Sequence, residues 1–478
     1  MDSKYEKILI YGILAFVFLG ILSFWDRDLA VGTIMLIFLS LITFLLIIKN
    51  KKYAKNLSLL FLVVLLIHTI AVLFVHYTDF QPFADQGGDF IEYDLNAQEI
   101  AKRVGQGNFS LEPSPKSNYA PSSHYYPVII GYLYAFTVPS MLIGQLVNAW
   151  LVAIVVVLAF LIVTEIGGSE KGAFSVGLII AVYPSLLFFG SLLLKDALVI
   201  SLALAGLLLT IKLIKNFFWK RFLILYIILA ALTHFRFYVG YVVMATFILS
   251  LFFLSKTLTL RKRFLYLVVI VVLFGFLPEL CANQGYLGTK TFKDFLNPPV
   301  ITYYREVLYA PVEQPSTSQP PTSQPPTSQP SISENQNVGS SFESKLDFDN
   351  PVTFLVNSVK SFIYSLLGPF PWQLKSRRHL FTLLETIPWY FLFFFVIKGI
   401  TKSVKFNKLV FPLIIFSLMV IGVLALFISN FGIVTRIRIP AFIAFLCLLP
   451  FGLKKINEID VKEKILEMFR RKSQRVLV

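Results

Sequence analysis

Long apolar runs alternate with short polar segments along most of the chain. The runs cover 8–25, 29–48, 57–75, 140–163, 173–190, 196–214, 222–235, 239–256, 264–280, 380–400, 409–428 and 439–453. Roughly twenty apolar residues in a helix cross the hydrocarbon layer of a bilayer. The pattern therefore predicts an all-α polytopic membrane protein with about twelve transmembrane helices. The stretch 126–138 is apolar but too short to span, and it reads as a juxtamembrane or re-entrant helix.

Composition narrows the class. The 478 residues are 56% hydrophobic and only 15% charged, against about 25% charged in ordinary soluble proteins. So few charges cannot cover a soluble surface, which excludes a soluble globular enzyme, a disordered chain and a fibrous repeat. A net charge of +16 would suggest nucleic acid if the protein were soluble. Sorted along the chain, it reads differently. Segments 1–7, 49–56, 164–172, 212–221, 256–263, 398–408 and 454–478 hold 27 Lys and Arg against 8 Asp and Glu, and the remainder holds 16 against 19. Basic residues favour the cytoplasmic side. Both termini are then expected in the cytoplasm, and the case for a nucleic-acid partner falls away. Cys281 and Cys447, the two cysteines, leave no room for a disulfide framework or a Cys-rich metal site. The first run follows Lys4 and Lys7 as a signal peptide would. Leu22-Ser23-Phe24-Trp25 lacks a small-residue cleavage pattern, so a retained span is expected.

With the sides assigned, the chain divides into N-terminal spans (1–75), a first outer loop (76–139), a central bundle (140–280), a second outer loop (281–379), C-terminal spans (380–453) and a basic tail (454–478). The Pro/Thr/Ser/Gln repeat at 315–333 cannot bury a core and reads as an extended spacer. Residues 342–374 regain apolar content, as one or two interfacial helices would. The tail suits a helix on the cytoplasmic membrane surface.

In the first outer loop, Gly87 and Gly88 end one segment and a helix is expected from Asp89. Phe90, Tyr93, Ala97, Ile100 or Ala101, and Val104 share its apolar face. Asp89 and Glu92 match the spacing of a capping box. Capping would still leave the Asp89 carboxylate exposed for proton transfer. Asp85 is a second candidate base, and Asp94 reads as a solvated helix residue.

Several cations fall in short outer turns: Lys195 before Asp196, Arg236 within Thr233 to Tyr238, and Arg436 and Arg438 within Asn430 to Pro440. Any one of them alone reads as a turn residue snorkelling to headgroups. Together they suit one anion, because Arg offers a planar fork of donors to phosphate and Lys a mobile point charge.

These residues resemble the GT-C fold glycosyltransferases, polytopic enzymes that include protein O-mannosyltransferases and the lipid A aminoarabinose transferase. The resemblance rests on Asp89, Tyr93 and Ala97 in the first outer loop, Tyr125-Tyr126-Pro127 opening an apolar juxtamembrane helix, Gly167-Gly168 ending a span, Tyr183-Pro184-Ser185 with the turn from Ser191 to Asp196, and Arg436, Arg438 and Pro440. It covers roughly residues 80–450. The Asp-Glu pair common in the family is Asp89-Phe90 here, and the repeat at 315–333 has no counterpart.

The resemblance implies transfer of a sugar from a polyprenyl-phosphate donor, with inversion, to a lipid, glycan or protein acceptor at the outer face, in a bacterial cytoplasmic membrane. It implies Asp89 (or Asp85) as base and Lys195, Arg236, Arg436 and Arg438 on the donor phosphate. Glu92, Tyr93, His124, Tyr125, His234 and Tyr238 are candidate sugar or acceptor contacts. No His, Asp or Glu spacing makes a metal site, although some family members use a divalent cation such as Mg or Mn, so a metal stays open. A polysaccharide polymerase or ligase would use the same outer arginines with less need of Asp89. A lipid or polysaccharide transporter would instead show charges deep within spans and internal repeats. His68, Gln145 and Asn148 are the notably polar residues within runs.

Overall fold

A computed structural model describes residues 24–49, 51–80, 88–112, 125–255, 258–275, 297–308, 346, 348–373 and 380–453. The described residues form helices and no β-strand. Among the described residues, seven helices are long and apolar enough to cross a membrane: α1 (Arg27–Ile48), α2 (Ala54–Thr78), α5 (Met141–Glu165), α8 (Asp196–Lys215), α9 (Trp219–Leu254), α13 (Leu380–Phe406) and α14 (Phe411–Phe427, with the turn before it). The shorter helices are α3 (Asp89–Gly105), α4 (Tyr125–Phe136), α6 (Glu170–Ala181), α7 (Pro184–Phe189), α10 (Leu260–Gly275), α11 (Pro298–Thr302), α12 (Pro351–Leu367), α15 (Phe431–Ile437), α16 (Ile439–Leu446) and α17 (Leu449–Leu453). Residues 8–23 and 276–280 of two expected spans, the repeat at 315–333 and the tail 454–478 lie outside the described residues.

The outward faces carry the membrane signature. Ile34, Phe38, Leu41 and Leu45 of α1 are exposed at spacings of three and four, as are Leu59, Leu62, Leu66 and Ile70 of α2 and Leu384, Ile387, Phe391 and Phe394 of α13. Apolar stripes of this length are rare on a soluble monomer and fit lipid contact. Helix α12 has the same inverted polarity. Val352, Leu355, Val356 and Val359 face outward while Ser361 and Ser365 are buried, and Ser361 Oγ accepts from Arg305 Nη2 at 2.7 Å. Helices α5 and α8 form the interior against α2, α6 and α9.

Helix α9 is two arms rather than one rod. A straight helix would hold residues 222 and 247 about 37 Å apart, yet the Phe222 and Phe247 rings lie 6.1 Å apart. The chain reverses at Arg236, whose φ and ψ of −150° and 87° are not helical. Gly240 permits the reversal, because a Cβ there would sit 3.1 Å from the Thr233 amide nitrogen. The short turn expected between runs 222–235 and 239–256 is thus the tip of a helical hairpin.

Two other runs are interrupted. The run 173–190 becomes α6 and α7, parted at Val182-Tyr183 before Pro184, whose ring and missing N–H disfavour a continuous helix. The last run follows α15 across a bend of 48°. Beyond that bend α17 lies against α13 backbone to backbone: a Cβ on Gly452 would be 2.0 Å from the Phe395 carbonyl oxygen.

Four of the cation-rich segments meet at one end of the bundle. Asn56 Nδ2 donates to Glu170 Oε1 at 2.6 Å, Lys215 pairs with Glu165 at 2.7 Å, and Asn407 Nδ2 donates to the Ile166 carbonyl at 2.5 Å. The turns and helix starts that carry Asp89, Lys195, Arg236 and Arg436 occupy the opposite end.

Candidate functional site

Four segments far apart in sequence meet there. Asp196 is the first residue of α8 and its side chain is 6% exposed. Its Oδ2 accepts from Arg436 Nε at 2.7 Å, and its Oδ1 pairs with Arg236 Nη2 at 2.6 Å. Arg436 reaches in from the last turn of α15, and its Nη1 donates to Asp89 Oδ2 at 2.9 Å. Arg236, at the hairpin tip, also donates through Nη1 to the Tyr238 hydroxyl at 3.0 Å. Asp89 is the most accessible member, with its side chain 43% exposed. Asp89 and Asp196 both open helices, where the dipole favours a carboxylate.

Lys195 is buried beside this network. Burial and the neighbouring Arg236 guanidinium pull its ammonium from 10.5 down to about 7, against the pull of Asp196. Tyr93 is buried under the cluster and packs edge-to-face on Tyr126 at 5.4 Å. Burial, with Asp89 next, pushes its phenol well above the ordinary range.

A scaffold of buried polar groups holds these parts. Asn148 Nδ2, within α5, donates to the Leu192 and Leu194 carbonyls at 2.7 and 2.9 Å, fixing the turn that presents Lys195 and Asp196. Its Oδ1 accepts from the Tyr126 hydroxyl at 3.2 Å. Helix α3 lies close on α4, since a Cβ on Gly131 would be 2.9 Å from the Ala97 carbonyl oxygen.

Of the residues singled out from sequence, Asp89, Lys195, Arg236 and Arg436 come together, with Tyr93 and Tyr238 against them. Tyr125 and His234 pair edge-to-face at 4.9 Å. Glu92 is exposed, away from the buried face of α3. Asp85 and His124 lie outside the described residues.

Three readings need correction. Gly88, not Asp89, caps α3, and no side chain makes the capping bond there; the Asp89 carboxylate is spent on Arg436 instead. Asp94 is buried rather than solvated, accepting from the Tyr134 hydroxyl and from Gln98 Nε2, each at 2.7 Å. Arg438 turns away from Arg436 into the interior. It is fully buried and pairs with Glu385 at 2.8 Å. Arg438 Nη1 donates to the Gly368 carbonyl at 2.5 Å, and the guanidinium stacks over Phe442 at 4.6 Å. Ser185 donates to the other oxygen of Glu385.

Asp196 and Asn148 are the members named in sequence without a role in the site. Asp196 stands beside Lys195, and Asn148 is one of few polar residues in an apolar run, so both left a visible signal.

Among the described residues, no three His, Cys, Asp or Glu side chains gather as a metal site would require. The two carboxylates present are each engaged by guanidinium groups, a donor set that fits an anion better than a divalent cation. Comparison with protein-family models, characterised proteins and solved structures yields no match. The side chains gathered here are a half-exposed carboxylate beside two guanidinium groups and a buried lysine, flanked by helices with outward apolar faces.

Proposed function

We propose that the protein is an integral-membrane glycosyltransferase of GT-C type that moves a sugar from a polyprenyl-phosphate donor to an acceptor hydroxyl at the outer face. About twelve spans, with both termini cytoplasmic, accompany this reading. The convergence of Asp89 with Arg436, Arg236 and Lys195 on one end of a lipid-facing bundle carries it. The acceptor oxygen attacks the anomeric carbon as the bond from that carbon to the phosphate oxygen breaks. The hydroxyl proton passes to Asp89, and the electron pair leaves on the polyprenyl phosphate. That phosphate gains a negative charge during the step, which the two guanidinium forks and the Lys195 ammonium stabilise. Tyr125, His234 and Tyr238 border the same end and offer faces for a sugar ring.

Two substitutions test the reading. Asp89→Asn should abolish sugar transfer from polyprenyl-phosphate donors in membranes holding unchanged amounts of the protein. Full transfer in that variant removes Asp89 as the base. Charge reversal at Arg436 should weaken donor binding, and an unaltered donor affinity counts against the phosphate site. A polysaccharide polymerase or ligase, which would share the arginines, predicts that Asp89→Asn keeps its activity.

A further inference from the structure

The Asp89 carboxylate holds Nη1 of Arg436, one of the two terminal donors that a phosphate gripped by both would need. We infer that the two exchange: the phosphate displaces Asp89 from Arg436 and by doing so frees the base. The inference rests on the proposed site and concerns the order in which that site fills.

Two of the three nitrogens of each guanidinium are already engaged. Arg436 gives Nε to Asp196 and Nη1 to Asp89, while Arg236 gives Nη2 to Asp196 and Nη1 to Tyr238. The two carboxylates differ in what their departure would cost. Asp196 uses both oxygens, is 6% exposed, and could leave only by unpairing two guanidinium groups that are 10% and 17% exposed. Asp89 uses one oxygen on one arginine, is 43% exposed, and would move into water. Asp196 is therefore the fixed anchor and Asp89 the exchangeable ligand.

The donor matches the group it replaces. A sugar-phosphate-polyprenol is a phosphodiester with one negative charge and two non-bridging oxygens, as a carboxylate has one charge and two oxygens. Arg436 can trade one for the other without a change in net charge at its fork. While paired with Arg436, Asp89 commits Oδ2 to the Nη1–H bond, so that oxygen is not open to an acceptor hydroxyl. Displacement frees it at the moment the donor arrives. The base is thus armed by the donor, and an acceptor bound without the donor meets a carboxylate occupied elsewhere.

The test is equilibrium binding of a short isoprenyl monophosphate to the purified full-length protein, with the matching isoprenyl alcohol and inorganic phosphate as comparisons. Asp89→Asn should bind the isoprenyl phosphate about two- to fivefold more tightly than the parent, the range a half-exposed ion pair is worth. Asp196→Asn should bind it more weakly. In an Arg436→Gln background, adding Asp89→Asn should change nothing. Asp89→Asn is near the surface and does not depend on the folding of the Asp196 variant. Equal or weaker binding by Asp89→Asn, while Arg436→Gln still weakens binding, overturns the exchange and leaves the proposed site standing. Isoprenyl alcohol bound as tightly as the phosphate overturns the site and the exchange together. Inorganic phosphate bound as tightly as the isoprenyl ester overturns the assignment to a lipid-borne donor.

Discussion

Asp196→Asn removes one charge from the centre of the network and keeps the shape of the side chain. In the parent, a single carboxylate holds two guanidinium groups whose side chains are 10% and 17% exposed. Breaking a buried ion pair by deleting one partner costs about 3–5 kcal/mol, since the other charge stays buried and uncompensated. Here two like charges are left behind with Lys195 beside them, so the same range is expected even though Asn can still accept one hydrogen bond. For domains of 150–250 residues each kcal/mol moves the melting temperature by about 2–4 °C. At the lower end of that scale, suited to a longer chain, the loss is about 6–10 °C. Cys447 provides the assay. It is fully buried, so in a Cys281→Ser background a thiol-reactive fluorophore reports unfolding in detergent. Asp89→Asn is the comparison, because a half-exposed pair contributes at most about 1 kcal/mol and should cost about 2 °C. Adding Arg236→Gln to Asp196→Asn should recover part of the loss by removing one unpaired charge. A melting point for Asp196→Asn within about 2 °C of the parent, or a loss no larger than that of Asp89→Asn, refutes Asp196 as the anchor.

Glu385→Gln and Arg438→Gln should each destabilise by about 3–5 kcal/mol, because the pair is fully buried, and should weaken isoprenyl-phosphate binding less than Arg436→Gln does. Lost affinity at an unaltered melting temperature would return Arg438 to the donor site. Lys195 sets a pH dependence. Its folded-state value, about 7, lies below the ordinary 10.5, so between those values the unfolded chain holds a proton that the folded one has released. Stability from this residue therefore rises with pH from about 7 toward 10.5. Lys195→Met should flatten melting temperature against pH over 7–9, and identical slopes would show that Lys195 does not titrate there.

Hydropathy read the long helices well, because a lipid-facing helix needs only a sustained apolar run. It could not place the breaks. Pro184 was visible, but within an apolar run a proline is compatible with a kink, a stop or a new start. The hairpin tip was legible because Thr233 to Tyr238 interrupts the run with polar groups. Arg436 and Arg438 looked like a pair because they are neighbours in sequence. Two positions apart on a helix, side chains point about 200° away from each other, so one faces the charged end and the other the core. The capping-box spacing of Asp89 and Glu92 was present, but Gly88 took the cap, and the partner that claimed Asp89 lies 347 residues away. Asp196 stands out in sequence only as the residue after Lys195. Only the fold turns its two oxygens toward Arg236 and Arg436.

The polar residues inside apolar helices make sense through what they hold. An unpartnered amide in hydrocarbon costs several kcal/mol, so Asn148 is tolerable in α5 only because both its amide hydrogens and its carbonyl oxygen are bonded. Those bonds run to the Leu192 and Leu194 carbonyls and to Tyr126. One side chain thereby fixes the turn bearing Lys195 and Asp196 and, through Tyr126 against Tyr93, the helix bearing Asp89. On the other side, Arg438 ties the junction of α15 and α16 to Glu385 and the Gly368 carbonyl, which sets where Arg436 emerges two residues earlier. Lys195 and Arg436 are thus mounted on elements braced from the interior. Asp89 alone meets the cluster from the solvent side, through a single oxygen. A site built this way is rigid in its anion-binding half and yielding in its carboxylate, the asymmetry that a donor-triggered release of Asp89 requires.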